Sequence, residues 1–459
     1  MTTDRLGILI SRADDVSVAI GEQLREVAEW QDIVDDDRPA DRGGGTVYRR
    51  PGVELRTIDQ RHLDTVGIAE AFDSPDLIAI ASRHAGSTGP LLTAHHTGNF
   101  GPADHGGSAN ELARAAPTAH KRALAAFEAY APDEYDVGME CTHHGPSEVS
   151  APSLFLELGS GPAQWEDIEA ARAVARAILD LVDVPADSPL ENGYHRHVVG
   201  FGDGHYAPRF ARIATETDWA VGHVAADWAL DAMGEPADAG GVIDAAFTQS
   251  AAEFAVVAGD HPTLVATIEE RGSRVVSETW LRETDGVNLA LVERLEAAVG
   301  SVSDGLRFGD RARVQDREGE KPIVGEIPDE LLSAVVAVDP DAAMTVVEAE
   351  TLAFDTTQNG TQLAGPVAVA TADDADDLLD GFVEILRQDY EHVERRDDEI
   401  LVRRAEFDPA LAREAGVSPG PDFGRLAEGE PVTVDGNRIV PDAVCVEKEN
   451  LLPASVVES

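Results

Sequence analysis

Four short segments concentrate the residue types that do chemistry: SRHAGSTG from Ser82, TAHHTGNFG from Thr93, MECTHHGPSE from Met139 and GFGDGHYAPRF from Gly200. Each joins histidine to glycine and to a hydroxyl or carboxylate side chain. Neutral imidazole is the commonest metal ligand, and zinc sites combine His with Asp, Glu or Cys in near-tetrahedral sets. His95, His96, His143, His144 and His205 are therefore the metal-ligand candidates. Neighbouring side chains on a strand point to opposite faces, so a His–His pair there supplies one ligand more readily than two. Each histidine alone reads equally well as a hydrogen-bonded loop residue. Four such segments in one region are harder to assign to structure alone.

Glu140, Glu157 and His84 are the catalytic candidates. Glu157 follows the apolar run SLFLEL, where burial raises a carboxyl pKa towards the range of a general base. The bland alternative is a surface carboxylate in a chain full of them. Cys141 reads first as a small buried residue at a strand end, and second as a nucleophile or ligand. Arg83 and Arg209 are candidate phosphate contacts, although lone arginines commonly serve as surface ion-pair partners. Ser87, Thr88, Thr97 and Asn99 complete the substrate-binding set, with side chains that donate to phosphate or carbonyl oxygens. The chain has no H-E-x-x-H helix, no G-x-S-x-G elbow and no G-x-x-x-x-G-K-[ST] loop. Zincin proteases, nucleophile-elbow hydrolases and P-loop enzymes are thereby disfavoured. GFGDGH lacks the full dinucleotide-binding spacing.

The elements that must position these residues alternate. LGILIS, DLIAIAS, PLLTAHH, YDVGMEC, SLFLELGS and HRHVVGFG read as strands. VSVAIGEQLREVAEW, PTAHKRALAAFEAYA, WEDIEAARAVARAILDLVD and GGVIDAAFTQSAAEFAVVAG read as helices. Such alternation predicts an α/β domain with a mostly parallel or mixed sheet, with functional residues on loops at strand ends. SDGLRFGDRARVQDREGEKP reads as a linker or long loop. Thirteen of the 14 histidines lie at or before His261. The expected domains are 1–300, carrying the chemistry, and 301–459, an acidic α+β extension.

The net charge of −50 arises from 86 acidic against 36 basic residues. The acids are dispersed, and lysine is nearly absent: Lys121, Lys321 and Lys448 stand among arginines. This composition fits a protein kept soluble in molar salt, where the Debye length falls to ~3 Å. Phosphate attraction is weak there, so the lack of a basic patch does not exclude a nucleic-acid substrate. Two cysteines exclude a disulfide framework. No apolar run is long enough for a membrane span, and MTTDRLGILIS does not read as a signal peptide. A cytoplasmic location is expected.

SRHAGSTGPLLTAHHTGNFG, ECTHHGPSEVSAPSLFLELGS and GFGDGHYAPRF resemble, in order, the D-aminoacyl-tRNA deacylases of archaea and plants. The resemblance covers roughly residues 1 to 300 and suggests a haloarchaeal form with a C-terminal extension. It implies an α/β fold of the phosphorylase/peptidyl-tRNA hydrolase-like type, a mixed sheet flanked by helices. It further implies a carboxylic ester hydrolase that frees the D-amino acid from the terminal ribose of tRNA, in D-amino acid detoxification. Two zinc ions (Zn2+) per subunit and a D-aminoacyl-tRNA partner, without DNA or membrane, are also implied. A monomer is expected. The resemblance does not assign ligands residue by residue, so those above rest on residue type. The rival readings are another metal-dependent hydrolase of a small ester or amide, a phosphorylase-like nucleoside enzyme, and a non-catalytic tRNA- or metal-binding protein.

Overall fold

In the computed structural model, which describes residues 5–314 and 321–456, the apolar runs build one large mixed sheet. Its elements are β1 (Leu6–Ser11), α1 (Asp15–Val27), β2 (Gln31–Asp35), β3 (Gly45–Arg50), β4 (Val53–Ile58), β5 (Leu77–Arg83), β6 (Leu91–His95), α2 (Pro117–Tyr130), β7 (Asp136–Met139), β8 (Ser153–Gly159) and α3 (Ile168–Leu179). The strand order is β2-β3-β4-β1-β5-β8-β6-β7. Strands β4, β1, β5 and β8 run parallel, whereas β6 runs antiparallel to β8.

The helices start where side chains satisfy their first amides. The Asp14 carboxylate accepts from the amides of Val16 and Ser17, Asp167 caps α3 in the same way, and Pro117 opens α2. All three helices cover one face of the sheet. Ala79, Ala81, Leu92, Ala94, Leu154, Leu156 and Leu158 meet Ile20, Leu24, Ala119, Ala123, Val174 and Ile178 there. The period of two along a strand sends Leu9, Ile78, Ile80 and Phe155 to the opposite face, against Ile68, Val149 and Ala151. Thr93 pairs with Glu157 and His95 with Phe155 across β6 and β8, so the candidate residues share this second face.

A smaller parallel sheet follows: β9 (His197–Phe201), β10 (Ala220–Ala225), β11 (Phe254–Val257) and β12 (Arg274–Val275), in the order β10-β9-β11-β12. With it come α4 (Pro208–Glu216), α5 (Asp227–Met233) and α6 (Gly240–Ser250). Val199, Phe201, Ala225, Ile243, Phe247 and Ala255 form its core.

Two readings of local structure change. GGVIDAAFTQSAAEFAVVAG is not one helix: α6 stops at Ser250, Ala251 turns left-handed at φ 45°, and the remainder is β11. A short apolar run fits a buried strand as well as a helix, and only sheet pairing decides. SDGLRFGDRARVQDREGEKP is not merely a linker either. Arg307–Phe308 pairs with Ala353–Phe354, and Leu306, Phe308 and Ala312 are buried. Its residues 315–320 lie outside the described ones.

The chain divides into two compact units at Asp285 and Gly286, ahead of the composition change near residue 300. The second unit is α+β. A four-stranded sheet that includes Ala353–Thr357 and Gln362–Val369 is joined by helices Asp329–Val338, Pro340–Glu350 and Ala372–Leu386. A three-stranded sheet is made of His392–Arg395, Glu399–Phe407 and Cys445–Pro453. No helix among the described residues is long and apolar enough to cross a membrane.

Leu156 is fully buried against the helices. Leu156→Ala is expected to cost ~2–5 kcal/mol, read by urea denaturation at fixed KCl. A loss below ~1 kcal/mol would contradict this packing.

Candidate metal centre

The centre forms where the second face of the large sheet meets the loops of the small one. Strand β6 ends on His95, and the amide of Glu140, just past β7, donates to the Ala94 carbonyl at 3.1 Å, which keeps Glu140 beside His95. The chain then crosses to the smaller sheet. The Cys141 amide donates to the His205 carbonyl and the Thr142 amide to that of Val224, both at 2.8 Å. The loop after β9 returns His205, whose Nε2 lies 2.8 Å from Glu140 Oε2. His144 stands at φ 47°, a left-handed conformation that is strained outside glycine and recurs at functional sites.

Three of the imidazoles are oriented by the backbone. His95 Nδ1 meets the His96 carbonyl at 3.0 Å, His143 Nδ1 that of Cys141 at 2.9 Å, and His144 Nδ1 that of Gly145 at 2.7 Å. A carbonyl only accepts, so each Nδ1 carries the hydrogen and each Nε2 offers a lone pair. Metal-binding histidines are held in this way. Their ligand atoms converge in three overlapping groups: His95, His143 and His144; Glu140, His143 and His205; and His95, Glu140 and Glu157. Within each group the ligand atoms lie within 4.8 Å of one another. His95 Nε2 and Glu140 Oε1 are buried without a hydrogen-bond partner. Buried polar atoms are ordinarily paired, so this donor set fits a cation.

The two carboxylates differ in charge state. Burial disfavours the Glu140 carboxylate, but the His205 hydrogen bond and the nearby His95, His143 and His84 outweigh it, leaving its pKa at about 2. Burial pushes Glu157 up to about 7, although His95 Nε2 stands 3.6 Å from its Oε1. Burial lowers the His95 pKa as well, but Glu157 and Glu140 overcome it and the net shift is upward. His95 and Glu157, 3.6 Å apart, titrate as one buried pair when no cation is present. His143 and His144 are held neutral by burial and by His95.

His84, just beyond β5, folds back over Gly159. A Cβ at Gly159 would lie 2.5 Å from His84 Nδ1, so only glycine permits this approach. His84 Nδ1 bonds Ser160 Oγ at 2.8 Å, and its Nε2 stands 3.6 Å from Glu140 Oε2 and 3.3 Å from the Tyr206 hydroxyl. Burial lowers its pKa.

Glu140, Glu157, His84, His95, His143, His144 and His205 thus come together. His96 does not join them. It turns toward His120 and His223, with ring centroids 4.7 and 5.7 Å away, and its Nδ1 meets the Gly222 carbonyl. The strand alternation that places His95 in the centre sends its neighbour away. Of the substrate set, Asn99 braces its own loop by donating to the carbonyls of Gly106 and Ser108. Thr97 is buried, and its carbonyl accepts from Ala113. Ser87 and Thr88 are exposed, and Thr88 Oγ1 meets Ser160 Oγ. The exposed Arg83 lies over the Trp165 ring at 5.3 Å. Half-buried Arg209 donates its amide to Asp203. Cys141 is buried, and burial with the Glu140 charge raises its thiol to about 12, so it is no nucleophile at neutral pH. Ser160 and Tyr206 were missed, although each directly follows a segment residue already singled out for its type or strand.

The fold and site define an α/β protein with a His/Glu centre suited to a cation, buried where two sheets meet. Comparison with known proteins narrows this. A family model described as D-aminoacyl-tRNA deacylase matches residues 71–277. The chain is 52% identical to the D-aminoacyl-tRNA deacylase of Haloarcula marismortui over 95% of this chain and 97% of that one. It is 30% identical to that of Methanosphaerula palustris, over 96% of both chains. The chain belongs to the D-aminoacyl-tRNA deacylase family. A crystal structure titled as a conserved protein of unknown function, AF0625, superposes with a TM-score of 0.53 at 26% identity, covering 61% of this chain and 98% of that one.

The raised Glu157 gives the metal-free protein a pH signature. Glu157 holds its proton to about 7 against an ordinary value of 4.5, so the folded state binds a proton that the unfolded chain releases. Its contribution is full below the unfolded value and is lost as pH rises through the folded one, and the raised His95 acts in the same direction. Buried histidines held neutral, His96, His120, His143 and His144 among them, act in the opposite sense and contribute more stability as pH rises. The Glu157 contribution is therefore read as a difference: between about pH 5 and about pH 8 at fixed KCl, the chelator-treated parent should lose stability relative to Glu157→Gln. A melting-temperature difference between parent and Glu157→Gln that does not change with pH would refute the raised Glu157.

Proposed function

We propose that this protein hydrolyses the ester of D-aminoacyl-tRNA, releasing the D-amino acid and free tRNA, at a zinc-bearing centre. The observation that carries the reading is the convergence of histidine, Glu140 and Glu157 ligand atoms in one buried place, with His95 Nε2 and Glu140 Oε1 left unpaired. The two carboxylates differ in the metal-free protein. Glu140 is held ionised at about 2 and Glu157 is poised at about 7. Groups pushed apart in this way take different roles. Glu140 supports fixed positive charge, whereas Glu157 is matched to accept a proton at neutral pH. Family membership supports the substrate.

His95, His143, His144, His205 and Glu140 would hold zinc, and the ion supplies Lewis-acid polarisation of the ester carbonyl and a more acidic bound water. The remaining steps belong to the chain. Glu157 takes the proton of the attacking water. The proton Glu157 accepts is then returned to the departing ribose oxygen, and His84, neutral and oriented through Ser160, would steady that oxygen by a hydrogen bond. The surrounding buried Phe155 and His95 limit bulk water near the reacting carbonyl.

Incubation with D- and L-tyrosyl-tRNA in molar KCl, with and without chelator, tests the reading. D-tyrosyl-tRNA should decay faster than its spontaneous rate and L-tyrosyl-tRNA should not. Chelation should slow the reaction. Survival of the D-ester at its spontaneous rate would end the proposal. Metal analysis should find zinc in the parent and in His96→Ala, and reduced zinc in His95→Ala and His143→Ala. Retention by all three variants would remove the metal assignment.

A further inference from the structure

Recognition of tRNA by this protein faces an electrostatic difficulty. The chain carries −50, so phosphates are repelled at low salt, and at molar salt neither attraction nor counterion release contributes much. The nearby cation Arg83 is already drawn over Trp165. Stacking of bases on aromatic rings needs no net charge, and the burial of apolar surface it involves is not screened by salt as ion pairs are.

The exposed aromatic surface sits where such stacking would matter. Among the large apolar side chains exposed in the described residues, two are aromatic: Trp228, 49% exposed, and Tyr206, 36% exposed. Both flank His205, with ring centroids 6.4 and 5.1 Å from it. The Trp228 ring lies nearly parallel to the imidazole, at 30°, in the first turn of α5, and its side chain stands against the buried Cys141 thiol. Tyr206 reaches inward through its hydroxyl to His84. An isolated exposed tryptophan needs no explanation. Two exposed aromatics packed beside the histidine that bonds Glu140 form a rim at the edge of the centre.

We propose that this rim, with Trp228 as its principal element, is the stacking platform for the unpaired 3′-terminal adenine of tRNA, the base whose ribose bears the ester. The inference rests on the deacylase reading and adds to it the means of substrate capture. Phosphate contacts are secondary in it. The ester then enters the centre from the side of His205, past Tyr206.

The test compares parent, Trp228→Phe and Trp228→Ala with D-tyrosyl-tRNA in molar KCl. Trp228→Ala should raise KM by about 10-fold with kcat within about twofold, and Trp228→Phe should fall between. Zinc content and melting temperature should match the parent. Independently, the trinucleotide CCA should quench tryptophan fluorescence in the parent and lose that quenching in Trp228→Phe. A parental KM in Trp228→Ala, or undiminished quenching in Trp228→Phe, would overturn the platform. So would a fall in kcat accompanied by zinc loss, which would make Trp228 a support for His205. If the parent fails to hydrolyse D-tyrosyl-tRNA while CCA still quenches Trp228, the deacylase reading falls and the platform stands.

Discussion

A carboxylate that remains ionised while buried between two sheets is the constraint from which much of the first unit follows. Removing Glu140 from water is costly unless charge or hydrogen bonds answer it. His205 supplies the hydrogen bond, and His95, His143 and His84 supply the surrounding imidazoles. Each comes from a different stretch of chain, so satisfying Glu140 requires β6, the loop after β7, the end of β5 and the loop after β9 to meet at one point. The backbone bonds from Cys141 and Thr142 to the smaller sheet fasten that meeting place. The orphaned Glu140 Oε1 and His95 Nε2 show that the protein groups alone leave the site incompletely satisfied.

The helix-covered face does different work. It is alanine- and leucine-rich and free of the imidazoles that face the centre. A single strand, β8, serves both sides: Leu154, Leu156 and Leu158 fix it to the helices, while Phe155 stacks on His95 and Glu157 joins the centre. Rigid anchoring of one face positions the other, which suits a site whose members must be held to within a fraction of an ångström.

The second unit is shared with relatives: the Methanosphaerula palustris deacylase aligns over 96% of this chain. The acidic surface is a separate matter. It spreads over both units and leaves the apolar cores intact, as expected where solvent conditions and not the fold select surface residues.

Much of this was legible in the sequence, because residue type and period are local properties. The six strand segments read from apolar runs lie in the sheets, and the segment read as a helix from Pro117 starts there. The histidine-bearing segments marked the right region, since imidazole and glycine clustered there for chemical reasons. What local pattern could not supply was the meeting of segments remote in sequence. Nothing near His95 or His96 states which one faces the centre; the pairing of His95 with Phe155 decides it. The strand at Phe254–Val257 was hidden in an alanine-rich run because apolar residues satisfy either period until neighbouring strands offer hydrogen bonds. The sequence by itself determined the chemistry available, and the tertiary structure alone decided the charge states. Burial and proximity divide Glu140 from Glu157, and neither is a property of a glutamate until the two sheets have closed around it.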